Sequence, residues 1–374
     1  MQVLSFLKDI FLRLISAGIK KDKGPYKNIT WLFLSGGYGD YFAYNIFPRE
    51  IKRIFPDCRL TVVSQKRHHI FFRQDKNADF LEIVPESVRI ETSLTKPADT
   101  VKLMKILKKH KTELLICCPA FLRTHLLPFI RLSGVRKIIC HGIPERSTDF
   151  ILFREMYNPE RKTREMLHDL LLSIGNSIPD MSTSYHIEKK HITKALRLIN
   201  TLNRKKKPFI LFNPEGSHKQ HRLDDTQITG SVKELRRILP EYFILVICYE
   251  RNVIQLEKEA STDYFENMQF SGTDGTAMIQ IDDIELVAAL IQQAPGVLSV
   301  DTSTVHMADA FDRPLAALYS ANTIKGNIIP PVQVWRSYRP ETVNIYSKKI
   351  TAIKPGQIAQ AMKSALENSA KKQR

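Results

Sequence analysis

The feature that most constrains the fold of this chain is an alternation of short apolar runs with segments of helical spacing. ITWLFLS (residues 29–35), RLTVVS (59–64) and ELLICC (113–118) have the length and the branched apolar residues of buried strands. YNIFPREIKRIFP (44–56), between the first two, has helical spacing instead. This alternation predicts a parallel sheet wrapped by helices, so the first half of the chain is expected to be α/β.

The same alternation begins again after a basic linker. NRKKKPFILFN (203–213) passes directly from lysines into an apolar strand, and 374 residues are too many for one ordinary core. We therefore predict two Rossmann-like α/β domains, at 25–203 and 204–350, with a ligand cleft between the carboxyl ends of their strands. An N-terminal helix and linker at 1–24 and a C-terminal helix with a basic tail at 351–374 flank them.

The individual elements follow from the same spacing. Strands are predicted at 29–35, 59–64, 80–84, 113–118, 136–140, 208–213, 242–250, 296–300 and 314–320. Helices are predicted near 99–109, 121–132, 226–239, 283–293, 304–311 and 355–369, and the last is expected to pack back on the body of the protein.

The balance of charge indicates a polyanionic partner. Lys and Arg number 56 against 39 acidic residues, a net charge of +17 with histidine neutral. Phosphorylated ligands and anionic lipid fit this charge. Nucleic acid is not the expected partner, because no zinc-knuckle spacing, RNP-type aromatic motif or dense basic helix accompanies it.

Hydropathy and cysteine usage predict a cytoplasmic protein. No window approaches the ~20 uninterrupted apolar residues of a membrane span. The five cysteines form no C-x-x-C pair, as expected of buried thiols in a reducing compartment. The first helix, at 3–19, is amphipathic and is followed by lysines, so it could lie on a membrane surface or pack on the protein.

A glycine turn, SGGYGD (35–40), joins the first strand to a helix. It does not match a dinucleotide-binding turn, because Phe42 stands where the third glycine belongs and no acid ends the second strand. The turn presents Asp40 at the carboxyl end of the first strand, facing the predicted cleft. Asp40 is therefore a general base or a helix cap, and the two roles are compatible.

The segment VDTSTVHMADAFDRPLAALYS (300–320) contains the end of a buried strand and the start of a helix. Free backbone N–H groups and three hydroxyls at that start would suit a diphosphate. Asp301 would orient the loop or hold a ligand hydroxyl, and His306, one turn into the helix, would reach a phosphate. A capped helix with a satisfied histidine is the alternative. The residues of the helix start are Asp301, Thr302, Ser303 and Thr304.

A second loop, NPEGSHKQHRLDD (213–225), follows the first strand of the second domain. His218, Lys219, His221 and Arg222 fall within five positions there, which suits charge-assisted bonds to phosphate oxygens. An exposed basic loop without a ligand is the alternative. No D-x-D motif occurs in the chain, so a metal that escorts a sugar nucleotide is not expected.

These motifs resemble bacterial glycosyltransferase family 9, the ADP-heptose:lipopolysaccharide heptosyltransferases. SGGYGD is similar to the family's S-x-G-D turn, whose aspartate, here Asp40, is taken as the catalytic base. The resemblance spans roughly residues 29–345. In the segment 300–320, the family's D-[ST]-G-x-x-H-x-A-x-A-x-x-x-P run is matched by Asp301, Thr302, His306, Ala308, Ala310 and Pro314.

The resemblance implies a GT-B fold, with two Rossmann-like domains facing across a cleft, and an inverting transfer without a metal cofactor. A heptose or related sugar would pass from an ADP-sugar to the inner core of lipopolysaccharide or lipooligosaccharide, on the cytoplasmic side or at the inner face of the inner membrane. The donor would contact Asp301, Thr302, Ser303, Thr304, His306, Lys219, His221 and Arg222. The acceptor, a phosphorylated Kdo-lipid A or core oligosaccharide, would contact Gly39, Lys66, Arg67, His68 and Arg123.

Departures from the family pattern leave the donor and one cation open. Ser303 replaces the glycine of the run, and the turn after residue 320 lacks the family's glycine and proline. His221 or Arg222 stands near the usual phosphate-loop lysine. Alternatives are a GT-B transferase that uses another nucleotide sugar, a non-catalytic binding protein of this fold and a nucleic-acid-binding protein.

Overall fold

The computed structural model describes most of the chain from Pro25 onward. The described residues are 25–34, 37–73, 75–88, 97–122, 126–141, 151–155, 163–175, 177–182, 185–216, 219–320, 336–337 and 339–372. The predicted N-terminal helix at 1–24, and also Arg123 and His218, lie outside them.

The first unit is built on a six-stranded sheet in the order β3-β2-β1-β4-β5-β6, with every strand pair parallel. Its strands are β1 (Asn28–Phe33), β2 (Arg59–Gln65), β3 (Phe80–Val84), β4 (Leu114–Phe121), β5 (Lys137–His141) and β6 (Ile151–Glu155). Its helices are α1 (Tyr38–Tyr44), α2 (Phe47–Ile54), α3 (His69–Phe72), α4 (Pro97–Lys109), α5 (Leu127–Leu132) and α6 (Thr163–Ile174).

The second unit is built on an eight-stranded sheet in the order β14-β13-β12-β7-β8-β11-β10-β9. Its strands are β7 (Phe209–Asn213), β8 (Phe243–Cys248), β9 (Ser261–Phe265), β10 (Met268–Gly272), β11 (Thr276–Gln280), β12 (Gly296–Val300), β13 (Leu315–Ser320) and β14 (Val343–Ser347). Its helices are α7 (Lys189–Leu202), α8 (Asp225–Ile238), α9 (Ile284–Gln293), α10 (Ser303–Ala310) and α11 (Pro355–Lys372).

Each sheet has its core where the sequence is most apolar. Every residue of β7 and of β12 is buried, as expected for the central strands of a parallel sheet covered on both faces. Helix α11 packs on α8 and on β12, β13 and β14, with Met362 fully buried, so the predicted packing of this helix on the body is confirmed. In the described part of the chain, no helix has the length and apolar character to cross a membrane.

The chain divides earlier than the sequence suggests. One unit comprises Met1–Asn158 and Arg164–Tyr185, and the other comprises Pro159–Thr163 and His186–Arg374. Helix α7 belongs to the second unit because it packs against α9 and its Lys194 Nζ lies 3.0 Å from Glu266 Oε2. The sequence placed the residues of this helix before the boundary at 203/204.

Other elements also differ from the prediction. The elements that the sequence did not predict are β6, β9, β10, β11, β14, α3, α6 and α7. The helix expected at 121–132 is wrong in its first part, because β4 continues to Phe121 and α5 spans only Leu127–Leu132. Pro128 lies in the first turn of α5, where its missing N–H has no helical partner to lose. The antiparallel hairpin β9–β10 was not predicted, because β9 exposes four of its five residues and carries no apolar run.

The strand order places a switch point in each sheet. The chain moves from β1 to β2 and β3 on one side, and β4 then returns to the other side of β1. It likewise moves from β7 to β8, and β12 lies on the opposite side of β7. Ligands of open α/β sheets bind outside the carboxyl ends of the strands at such points. The carboxyl ends of β1 and of β7 are therefore where functional side chains are expected.

Candidate functional site

Asp40 lies just after the carboxyl end of β1, in the first turn of α1. Its Oδ2 accepts the backbone N–H of Gly37 at 2.5 Å, a bond that satisfies one donor of the helix start. Asp40 is partly exposed, whereas Gly39 beside it is buried in the helix. The capping role that the sequence left open is present, and it leaves a carboxylate at the switch point of the first sheet.

The start of α10 lies just after the carboxyl end of β12. The Thr302 hydroxyl caps it by accepting the backbone N–H of Thr304 at 3.2 Å. The backbone N–H of Asp301 is donated to Leu318 O at 2.9 Å. Among the described residues, no partner is found for the backbone N–H groups of Thr302 and Ser303. Two of the donors predicted for a diphosphate are thus used within the fold, and two remain for ligand oxygens.

Thr304 serves the fold rather than an exposed site. Its side chain is fully buried, and its hydroxyl accepts a hydrogen bond from Asn213 Nδ2 at 2.8 Å. Asn213 Oδ1 accepts the backbone N–H of Glu215 at 3.0 Å, so Asn213 links the helix start to the loop that follows β7. Ser303 and His306 are partly exposed, and His306 stands in the first turn of α10 as predicted.

The β7 loop (residues 214–224) reaches the same place as the start of α10. The described part of the loop contains a 3-10 turn at Lys219–His221. His221 is buried, and its Nδ1 lies 3.7 Å from Asp301 Oδ2. Gly216 allows this closeness, since a Cβ there would lie 2.6 Å from His221 Cβ. The two segments singled out in the sequence therefore meet at the switch point between β7 and β12.

The side chain of Asp301 is largely buried. Its side chain is 13% exposed, and burial raises its pKa to about 7 from an ordinary value of 3.8. This shift favours the neutral, protonated carboxyl group over the carboxylate. A carboxyl group of this kind can donate or accept a hydrogen bond to a ligand hydroxyl.

Lys219 and Arg222, two cations of the β7 loop, differ in the hydrogen bonds that they make within the protein. Arg222 donates to Gly216 O at 2.8 Å and to Glu250 Oε2 at 2.7 Å. Lys219 is exposed, and no hydrogen bond or ion pair is found for it within the described ranges. Of Lys219 and Arg222, Lys219 is therefore the one whose charge is available to a ligand phosphate, and Arg222 stabilises the loop.

A buried ion pair next to this loop was not predicted from the sequence. Glu215 is 3% exposed at its side chain, and its Oε1 lies 3.1 Å from Arg251 Nε. Arg251 also reaches Asp225 Oδ1 at 2.5 Å. A glutamate at the start of a loop and an arginine after the next strand were the available signals, but their pairing depends on the adjacency of β7 and β8.

The basic residues after β2 differ in exposure to solvent. Lys66 and Arg67 are exposed, and Arg67 Nε lies 3.3 Å from Glu86 Oε2. His68 is fully buried, with its ring 4.9 Å from that of Phe33. The 3-10 turn at Lys66–His68 directs this histidine into the aromatic core, so in this structure an acceptor cannot reach it. Arg123 lies outside the described residues.

Solved structures with the same fold were found. They include a glycosyltransferase family 9 protein from Veillonella parvula DSM 2008, at 14% identity over 91% of this chain and 97% of that one, with a TM-score of 0.66. The E. coli ADP-heptose LPS heptosyltransferase II matches at 12% identity over 92% and 99%, with a TM-score of 0.61. E. coli heptosyltransferase WaaC with ADP matches at 13% identity over the same shares, also at 0.61.

Such low identities establish the fold alone, and they confirm the predicted α/β class with two Rossmann-like units of the GT-B type. No curated protein matches the sequence significantly. The model of glycosyltransferase family 9 (heptosyltransferase) matches residues 101–334, more than half of the chain. The match includes the segment 300–320, which carried part of the resemblance, and the β7 loop, whereas the turn at 35–40 that carries Asp40 lies before it. The chain therefore belongs to glycosyltransferase family 9.

Proposed function

We propose that this protein is an inverting glycosyltransferase that moves a heptose or a related sugar from an ADP-sugar to the inner core of lipopolysaccharide or lipooligosaccharide. The observation that carries the proposal is the meeting of the β7 loop with the start of α10 at the switch point of the second sheet. The start of α10, the exposed Lys219 and the buried carboxyl group of Asp301 together suit a sugar attached to a diphosphate.

The diphosphate would lie against the backbone N–H groups of Thr302 and Ser303, which the fold leaves for a ligand. Lys219 would supply the positive charge that meets the diphosphate as it departs, and His306 would reach the same oxygens. Asp301 would accept or donate a hydrogen bond at a sugar hydroxyl. Thr304 stabilises this arrangement by accepting a hydrogen bond from the side chain of Asn213.

Asp40 would act as the general base. As an acceptor hydroxyl oxygen forms its bond to the anomeric carbon, its proton passes to Asp40, and the bond from that carbon to the diphosphate oxygen breaks. The electron pair of that bond leaves with the diphosphate, where the helix start and Lys219 stabilise it. Attack on the face opposite the leaving group inverts the configuration.

Different observations support the proposed nucleobase of the donor and the proposed acceptor. ADP is favoured because one protein of this fold was solved with ADP. A phosphorylated Kdo-lipid A or core oligosaccharide acceptor would suit the net charge of +17 and the exposed Lys66 and Arg67. With such an acceptor, the transfer would take place at the inner face of the inner membrane. The chemistry is expected to need no metal, so excess EDTA should leave the transfer rate unchanged.

A calorimetric screen tests the donor. The full chain is titrated with ADP, GDP, UDP and CMP and with sugars attached to them. We expect ADP and an ADP-sugar to bind, and tight binding of another nucleotide instead would assign a different donor. If no nucleotide or sugar nucleotide binds, the transferase proposal fails.

A further inference from the structure

Arg251 lies outside the β7 loop, yet it contacts both of its ends. At the start of the loop its Nε lies 3.1 Å from Glu215 Oε1. At the far end its terminal nitrogens donate to Leu223 O at 2.6 Å and to Asp225 Oδ1 at 2.5 Å. A guanidinium group is planar and carries its donors in fixed directions, so it holds these two parts of the chain at a fixed separation.

Glu215 ties this arrangement to the sheet. Its Oε2 accepts the backbone N–H of Tyr249 at 2.7 Å, one residue after β8 ends. The Glu215 side chain is 3% exposed and that of Arg251 is 16% exposed, so solvent screens their attraction weakly. The loop ends are therefore held against the carboxyl end of β8 as well as against each other.

Between the two held ends lies the short turn that carries Lys219 and His221. A single turn of 3-10 helix has little stability of its own, so its position depends on where the chain enters and leaves it. Displacing a charged group by about 1 Å is enough to weaken its action on a bound ligand substantially.

We propose that Arg251 is a positioning residue of the donor site. By holding both ends of the β7 loop, it keeps Lys219 directed toward a diphosphate at the start of α10. The ligand class is a nucleoside diphosphate or its sugar ester, so this inference rests on the proposed function. Arg251 itself is not expected to touch the donor.

The test measures binding of ADP and of inorganic pyrophosphate to the full chain by calorimetry. Pyrophosphate reports on the diphosphate position without any contribution from the base. Arg251→Lys keeps the charge but cannot span three partners, and Arg251→Gln removes the charge as well. Arg236→Lys is the matched control, because Arg236 pairs with Glu257 at 2.7 Å in the same unit.

We expect Arg251→Lys to weaken both probes about tenfold and Arg236→Lys to change them by less than about twofold. With Lys219→Ala already present, Arg251→Lys should weaken them by less than about threefold, because the residue it positions is gone. General loosening of the fold would produce the same loss with and without Lys219. If Arg251→Gln does not fold in a thermal melt, Arg251→Lys carries the test.

Two results would overturn the inference alone: unchanged affinities in Arg251→Lys, or an equal loss in the presence and absence of Lys219. If the wild-type chain binds ADP, another nucleotide or a nucleotide sugar, the proposed function survives either result. A wild-type chain that binds neither pyrophosphate nor any nucleotide overturns both.

Discussion

At the scale of single residues, Asp40 stabilises the turn that follows β1. The hydrogen bond from the Gly37 N–H fixes the turn after β1 and thereby the direction of the carboxylate. The sequence indicated a cap or a base, and the structure contains the cap. The catalytic role remains a prediction, and it requires a test that separates activity from stability.

Lys219 and Arg222 should respond differently to removal. Lys219→Ala deletes an exposed cation, so we expect ADP affinity to fall about tenfold to a hundredfold while the melting temperature stays the same. Arg222→Ala removes two internal hydrogen bonds and should lower the free energy of unfolding by about 1 kcal/mol. Calorimetry and thermal melts of both variants check this. The reverse pattern would assign the phosphate contact to Arg222.

The buried carboxyl group of Asp301 makes stability depend on pH. Its folded-state pKa, about 7, is above its ordinary value of 3.8, so the native state binds this proton more tightly than the unfolded state does. The stabilisation is complete below about pH 4 and is lost as the pH rises to about 7.

The comparison that isolates this effect is wild type against Asp301→Asn, in urea unfolding at pH 5 and pH 8. Between these pH values the wild type should lose about 3 kcal/mol relative to the variant. Parallel pH profiles for the two proteins would mean that Asp301 is ionised throughout this range.

At the scale of elements, the bond between Asn213 and the Thr304 hydroxyl joins the end of β7 to the start of α10. Thr304→Val keeps the volume but leaves the Asn213 amide buried without this partner, at a cost of about 1 to 3 kcal/mol. Urea unfolding of Thr304→Val, Asn213→Ala and the double variant should show a double loss smaller than the sum. Strict additivity would contradict the link.

The sequence predicted many of the elements that carry apolar runs, but it missed the largely buried β11 and the helix α6. β7 and β12 are recognisable because every residue in them is buried. The hairpin β9–β10 escaped because β9 lies at the sheet edge and is mostly exposed. The residues of α7 were placed before the domain boundary, and no helix was predicted there, because the packing of α7 on α9 is a long-range contact.

The candidate site was predictable in its motifs but not in its supports. Asp301 and the β7 loop were found because helix starts and clustered cations have local signatures. The burial of Thr304 and His68 depends on neighbouring elements. The pair of Glu215 and Arg251 depends on which strands lie side by side, and sequence spacing does not report that.

For the whole molecule, both units follow one rule. Each places candidate residues at the carboxyl ends of strands where the strand order reverses. Asp40 follows β1, the β7 loop follows β7 and the start of α10 follows β12. One unit thereby offers a carboxylate, and the other offers backbone donors and a cation. In the proposed transfer, Asp40 would act as the base for the acceptor, and the donors and cation of the second unit would stabilise the leaving diphosphate.

The most direct test of this account is the rate of sugar transfer from ADP-heptose to phosphorylated Kdo-lipid A by wild type and Asp40→Asn, with ADP affinity measured on the same samples. Asparagine keeps an oxygen that can accept the Gly37 N–H, so folding should be preserved. We predict a loss of transfer of at least about a hundredfold, with ADP affinity unchanged within about twofold. Transfer by Asp40→Asn at the wild-type rate would contradict the account.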